Sequence, residues 1–174
     1  MSQVIIINGS GRSGKDTFCS LCAKYHEVSI CSSVSEIKRA AMILGWDGQK
    51  DERSRKFLSD LKDLATEYSD APMNYIREYV KAHQNSDELI FLMIREPNEI
   101  EKARKEFDAI TLLIKRPNID QISTNHADRD VDHFDYDWTV YNSGTLDDLD
   151  EMAQNFVGCI HSDWFQRRRN DTRS

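Results

Sequence analysis

The chain has 174 residues, enough for one domain with its own core at roughly 100–200 residues per domain. Hydrophobic residues at 39%, charged residues at 30%, 7 glycines and 3 prolines exclude collagen-like, low-complexity and membrane-spanning classes. The formal net charge of -7 argues against a general nucleic-acid binder, while leaving room for a locally positive pocket that takes a small anion. The apolar run Val4–Ile7 follows no basic segment and is too short for a signal sequence. No apolar run approaches the ~20 residues of a membrane span. The four cysteines are therefore expected to be reduced thiols of a cytoplasmic protein.

In chain order, Val4–Ile7 predicts a strand buried on both faces, followed by a Gly-rich turn. Phe18, Leu21, Cys22 and Tyr25 fall at helical spacing. Val28–Cys31 reads as a second, weaker strand. Ser33 and Glu36 have capping-box spacing and lead into a helix through Ile37, Ala40, Ala41 and Leu44, with Gly45 as its stop. Residues 51–69 carry Phe57, Leu58, Leu61, Leu64, Ala65 and Tyr68 along one face of a long helix. Pro72 suits the start of the next helix, through Met73, Ile76 and Val80. Leu89–Ile94 is the strongest strand signal. Pro97 opens a helix through Ile100, Ala103 and Phe107. Ile110–Ile114 and Trp138–Tyr141 read as the last strands, and a final helix runs from Leu146 to Trp164. Strands alternating with helices predict an α/β fold with a parallel sheet, and 33–85 is expected to be a wholly helical excursion from it.

The turn reads Gly9-Ser10-Gly11-Arg12-Ser13-Gly14-Lys15-Asp16-Thr17. Gly9, Gly11 and Gly14 satisfy the dinucleotide pattern G-x-G-x-x-G, and Gly9, Gly14 and Lys15 satisfy the phosphate-loop pattern G-x-x-x-x-G-K. The dinucleotide reading needs a carboxylate at the end of the second strand, where the chain has Cys31-Ser32-Ser33, and it leaves Lys15 without a role. The phosphate-loop reading uses every part: glycines for close approach, inward N–H groups, and a lysine at a helix N-terminus that already favours anions. Asp16 holds the place of the hydroxyl residue that usually follows the lysine, and Thr17 comes one later.

Two other groupings are weighed and set aside. Cys19, Cys22, His26 and Cys31 have near-zinc spacing, but two of them fall inside the helix that follows the loop, so buried cysteines are the expectation. Asp128, Asp130 and Asp132 begin like a calcium loop but lack its glycine and closing glutamate. Lys50, Arg53, Arg55 and Lys56 cluster at a helix start, where cations oppose the dipole; a solvated face and a phosphate site on Arg53 and Arg55 both account for them. Arg95 leaves the end of the strongest strand, the edge where open α/β sheets bind ligands.

The loop 12–17 resembles that of P-loop kinases similar to deoxynucleoside monophosphate kinases; animal-type phosphomevalonate kinase has a related Gly-Lys-Asp loop. Arg95-Glu96-Pro97-Asn98-Glu99, Arg116-Pro117 and the segment from Asp137 to Leu146 resemble that family in the same order. Dephospho-coenzyme A kinases are a neighbouring, weaker match. The resemblance implies a P-loop NTPase-type three-layer fold, a five-stranded parallel sheet, ATP as donor with Mg²⁺, and a (deoxy)nucleoside monophosphate acceptor. It makes 1–174 one kinase domain, with 33–85 as the acceptor arm, 116–136 as a short lid and 167–174 as a frayed tail.

On this reading Lys15, Arg95, Arg55 and the lid's Arg129 act on the transferring group. Gly9, Gly11, Arg12, Ser13, Gly14, Lys15, Asp16, Thr17, Arg116, Asn142, Gly144 and Thr145 hold ATP, the last two near the adenine. Arg39, Arg53, Arg55 and Arg95 hold the acceptor, and Asp16, Thr17 or Glu96 the metal. The expected partners are small nucleotides, with neither nucleic acid nor membrane. The family's third strand usually ends in an aspartate where this chain has Met93. A nucleotide-binding protein without turnover is therefore the rival reading, and a dinucleotide enzyme a third.

Overall fold

The computed structural model describes residues 2–117 and 134–160. Among them are β1 (Gln3–Asn8), α1 (Lys15–Cys22), β2 (Val28–Ser32), α2 (Ser35–Ile43), α3 (Glu52–Ser69), α4 (Ala71–His83), β3 (Leu89–Met93), α5 (Pro97–Phe107), β4 (Ile110–Lys115), β5 (Trp138–Tyr141) and α6 (Leu146–Ile160). The five strands form one sheet in the order β2-β3-β1-β4-β5, and every pairing is parallel.

Alternation along β1 builds two cores. Ile5 and Ile7 face one side, where Phe18 and Cys22 of α1 and Leu149, Phe156 and Ile160 of α6 cover them. Val4 and Ile6 face the other, under Met73 and Ile76 of α4 and Ile100 and Ala103 of α5. A continuous apolar strand therefore means helices on both faces. Phe156 packs edge-on against Phe18 at 5.6 Å and Trp138 at 5.5 Å between ring centroids, so α6 is pinned to α1 and β5.

Several local expectations shift. Ser33 does not cap α2; Val34 precedes the helix without a side-chain cap, because the Ser33 hydroxyl and N–H both donate to the Met93 carbonyl. Tyr25 falls past the end of α1 and lies on the surface. Gly45 does stop α2, at φ 96°, but Leu44 is exposed rather than packed. The long helix α3 starts where Asp51 Oδ1 accepts from Ser54 N at 2.7 Å. None of its residues is buried, and Leu64 and Tyr68 face outward, so its apolar face is only half covered. The final helix is described to Ile160, and Trp164 lies outside the described residues. Cys19, Cys22 and Cys31 are buried thiols, and no metal-binding cluster occurs among the described residues. Burial pushes the Cys22 and Cys31 thiols up to about 12, which suits inert packing groups.

Candidate phosphate-loop site

β1 sits between β3 and β4, so the chain leaves it for one half of the sheet and returns on the other. This switch point is where open α/β sheets leave a crevice beyond the strand ends. Because all strands are parallel, the segments after β1, β3, β4 and β5 emerge at one edge. They bring Gly9–Gly14, Arg95, Arg116 and Asn142 there.

The loop's shape is set by residues with positive φ. Gly9 has φ 151° and Gly14, the residue before α1, has φ 101°. A Cβ on Gly9 would overlap the Ile114 carbonyl oxygen and reach within 2.6 Å of Ser13 Oγ; one on Gly14 would meet Asn142 Nδ2 at 2.5 Å. Arg12, a non-glycine residue, takes φ 65° and leaves its side chain exposed. Gly11 has open space around it.

Lys15 opens α1 and folds back across the loop, its Nζ donating to Gly9 O at 2.6 Å and Ser10 O at 3.0 Å. The first intrahelical bond runs from Phe18 N to Gly14 O, so the N–H groups ahead of it have no carbonyl within the helix. They and the Lys15 ammonium form a positive end suited to phosphate oxygens. Ser13 is fully buried. Its N–H bonds Ser10 O, its carbonyl accepts from Asn142 Nδ2 at 2.9 Å, and its Oγ has no partner among the described residues. Asn142 thus clamps the loop from the β5–α6 turn.

Asp16 and Thr17 are exposed in the first turn of α1, one beside the other, and offer hard oxygens next to the loop. Oxygens of this type are the donors that Mg²⁺ takes. Glu96 precedes α5 without capping it. Met93, in register with Ile7 and Ser32, packs against the core beneath α1 and α6, so the strand-end position carries a thioether and no carboxylate.

The remaining expected residues are placed unevenly. Arg95 is exposed just past β3, and Glu99, in the first turn of the following helix, is bound to Lys62 of α3 at 2.9 Å. Arg116 is exposed past β4. Arg53 and Arg55 are exposed in the first turns of α3, and Arg39 pairs with Glu36 on its own helix. No hydrogen bond or ion pair joins these three to the loop among the described residues. Gly144 and Thr145 build the start of α6: Thr145 N and Oγ1 donate to Asp148 Oδ2, and Asp148 N donates back to Thr145 Oγ1. Those bonds, from the Thr145 backbone first, hold the Asp148 carboxyl below its usual value. Arg129, most of the 116–136 segment and the 167–174 tail lie outside the described residues.

A groove of ≈ 410 Å³ beside this turn is lined by Ser143, Gly144, Asp148, Glu151, Met152 and Asn155. It does not include the loop, and its two carboxylates oppose a phosphate.

Asn8, missed in the sequence, is the other organiser of the site. It is fully buried and touches the loop, the Arg95 turn and Tyr136. The only signal was its polarity at the end of an apolar strand.

No protein-family model matches the chain, and no curated protein matches it by sequence. Solved structures do. The TT1252 protein of Thermus thermophilus is similar at TM-score 0.59 and 19% identity, over 92% of this chain and 98% of that one. A dephospho-CoA kinase from Campylobacter jejuni is similar at TM-score 0.58 and 12% identity, over 91% and 97%. A sugar kinase from Janibacter is similar at 0.52 and 12%, over 91% and 95%. At these identities the likeness concerns the fold: this chain has the α/β fold of P-loop NTPase-type kinases, built on a five-stranded parallel sheet.

Proposed function

We propose that the protein is an ATP-dependent phosphotransferase acting on a small phosphorylated acceptor, of which a (deoxy)nucleoside monophosphate is the best candidate. The observation that carries this is the Gly9–Lys15 loop: two glycines at positive φ, a lysine folded onto the loop carbonyls and a helix N-terminus, all at the sheet's switch point. The nucleotide part rests on the sequence resemblance of 95–99, 116–117 and 137–146.

In this reading an acceptor phosphate oxygen attacks the γ-phosphorus of ATP, the bond to the β,γ-bridging oxygen breaks, and ADP leaves. The transition state is loose, so placement and charge neutralisation carry most of the rate. Lys15 and the α1 N–H groups hold the donor's terminal phosphates. Arg95, with Arg55 from the acceptor arm, balances charge on the transferring group. Arg12 and Arg116 flank the donor. Asp16 and Thr17 are the residues to hold Mg²⁺, which when bound with ATP neutralises phosphate charge.

One observation favours a second reading, ATP binding without turnover: Met93 stands where the resembled family has a carboxylate, and it packs, partly buried, against the core. A dinucleotide enzyme has no comparable support, since Cys31 and Ser32 end β2 without a carboxylate. No described helix is long and apolar enough to cross a bilayer.

The test is incubation with γ-labelled ATP, Mg²⁺ and a panel of nucleoside monophosphates, dephospho-coenzyme A and simple sugars. Label transfer to a monophosphate supports the proposal. Transfer only to another acceptor corrects the substrate. Saturable ATP binding with no transfer to any acceptor supports the second reading.

A further inference from the structure

Asn8 stands one residue ahead of the loop motif and is fully buried at the end of β1, opposite Leu113 of β4. A buried carboxamide must find partners for its two N–H donors and its oxygen. Here Oδ1 accepts from Gly9 N at 2.8 Å, while Nδ2 donates to Arg95 O at 3.3 Å and to Tyr136 Oη at 2.8 Å. The orientation is fixed, because a backbone carbonyl can only accept. The next peptide continues the chain: Gly9 O accepts from Lys15 Nζ at 2.6 Å. Gly9 is therefore held on both sides, by Asn8 at its N–H and by Lys15 at its carbonyl.

We propose that Asn8 is a positioning residue, which sets the Lys15 ammonium through the Gly9 peptide and ties it to the Arg95 turn, with Tyr136 locking the carboxamide in place. Glycine has the widest backbone freedom, so nothing intrinsic to Gly9 fixes where its carbonyl points. Lysine has a flexible stem, and its head goes where its acceptor is. Without Asn8 the Gly9 backbone can rotate, and Lys15 loses the closer of its two carbonyl acceptors, keeping only Ser10 O. The same amide also reaches the Arg95 carbonyl, so the loop and the backbone of the Arg95 turn are tied together. Tyr136 matters because its hydroxyl takes the second N–H, which would otherwise be buried unpaired.

The proposal rests on the loop being an ATP site. Its test compares Asn8→Leu, close in size but apolar, with Tyr136→Phe and the double variant. Mg²⁺–ATP affinity is measured by calorimetry, and amide hydrogen exchange by NMR, well below the unfolding temperature. Asn8→Leu is expected to weaken ATP binding at least tenfold, Tyr136→Phe about threefold, and the double variant no more than Asn8→Leu. Gly9 should lose exchange protection in Asn8→Leu while Ile6 and Leu92 keep theirs. ATP affinity within twofold of wild type in a folded Asn8→Leu protein overturns the proposal. So does a loss of protection spread evenly along β1 and β3, which marks a purely structural role. Should Asn8→Leu not fold, Tyr136→Phe decides: a threefold loss supports the proposal and unchanged affinity overturns it. If wild type binds Mg²⁺–ATP no better than Lys15→Ala, the ATP-site reading itself fails and takes the proposal with it.

Discussion

Replacing Gly9 by alanine tests the loop geometry with one added methyl group. Gly9 has φ 151°, which an L-residue takes only under strain. Strain of this kind costs about 1–3 kcal/mol. The new Cβ would also overlap the Ile114 carbonyl oxygen and lie 2.6 Å from Ser13 Oγ. Ser13 can turn its hydroxyl, but Ile114 is backbone of a strand paired on both sides, with β1 and β5, and cannot withdraw cheaply. Overpacking of this sort adds about 1–3 kcal/mol. Together the two effects predict a loss of about 2–6 kcal/mol, a large share of the ~5–15 kcal/mol that holds a domain. At about 2–4 °C per kcal/mol for a chain of this size, the melting temperature should fall by roughly 4–24 °C. Gly11→Ala is the internal control: nothing lies within 4 Å of its added Cβ, so its stability should stay within about 0.5 kcal/mol of wild type. Urea denaturation of both variants, read as a midpoint shift at constant slope, measures the difference. Equal stability of Gly9→Ala and Gly11→Ala would refute the loop geometry.

Other outcomes follow from single contacts. Asn142→Ala removes the donor to Ser13 O and leaves that buried carbonyl unpaired, so denaturation should show a loss of about 1–3 kcal/mol, with weaker ATP binding in the same protein. Asp16→Asn keeps the shape and removes the charge; titrations of ATP at several Mg²⁺ concentrations should show a weaker dependence on the metal, and an unchanged dependence would exclude Asp16 as its carboxylate. Burial alone would raise the Asp70 carboxyl, but hydrogen bonds from Lys102 and Arg77 outweigh it and hold the group below its ordinary value. The stability this brings is complete above an unfolded pKa of about 3.9 and is lost as the pH falls through the native value. Asp70→Asn should therefore be less stable than wild type at pH 7, with the gap closing in acid denaturation curves.

The fold was readable because its strands are continuous apolar runs and its helices carry periodic faces; Trp138–Tyr141 was placed without error. The shape of the Gly9–Lys15 turn was readable because glycines at positive φ and a following lysine are written as residue types. Tertiary hydrogen bonds were not. Ser33 looks like a cap, yet the Met93 carbonyl, distant in sequence, claims it. Asn8 and Tyr136 lie 128 positions apart, and no local pattern joins them. The segment 33–85 was legible as helices but not as a site, since exposed arginines on α3 look the same whether they meet phosphate or water.

The central claim is that Gly9–Lys15 binds the phosphates of ATP, and calorimetric titration of Mg²⁺–ATP into wild type and Lys15→Ala tests it most directly. Wild type should bind at one saturable site, and Lys15→Ala should bind at least tenfold more weakly, about 1.4 kcal/mol, with its melting temperature in the absence of nucleotide little changed. Equal affinity of the two proteins for Mg²⁺–ATP would contradict the assignment.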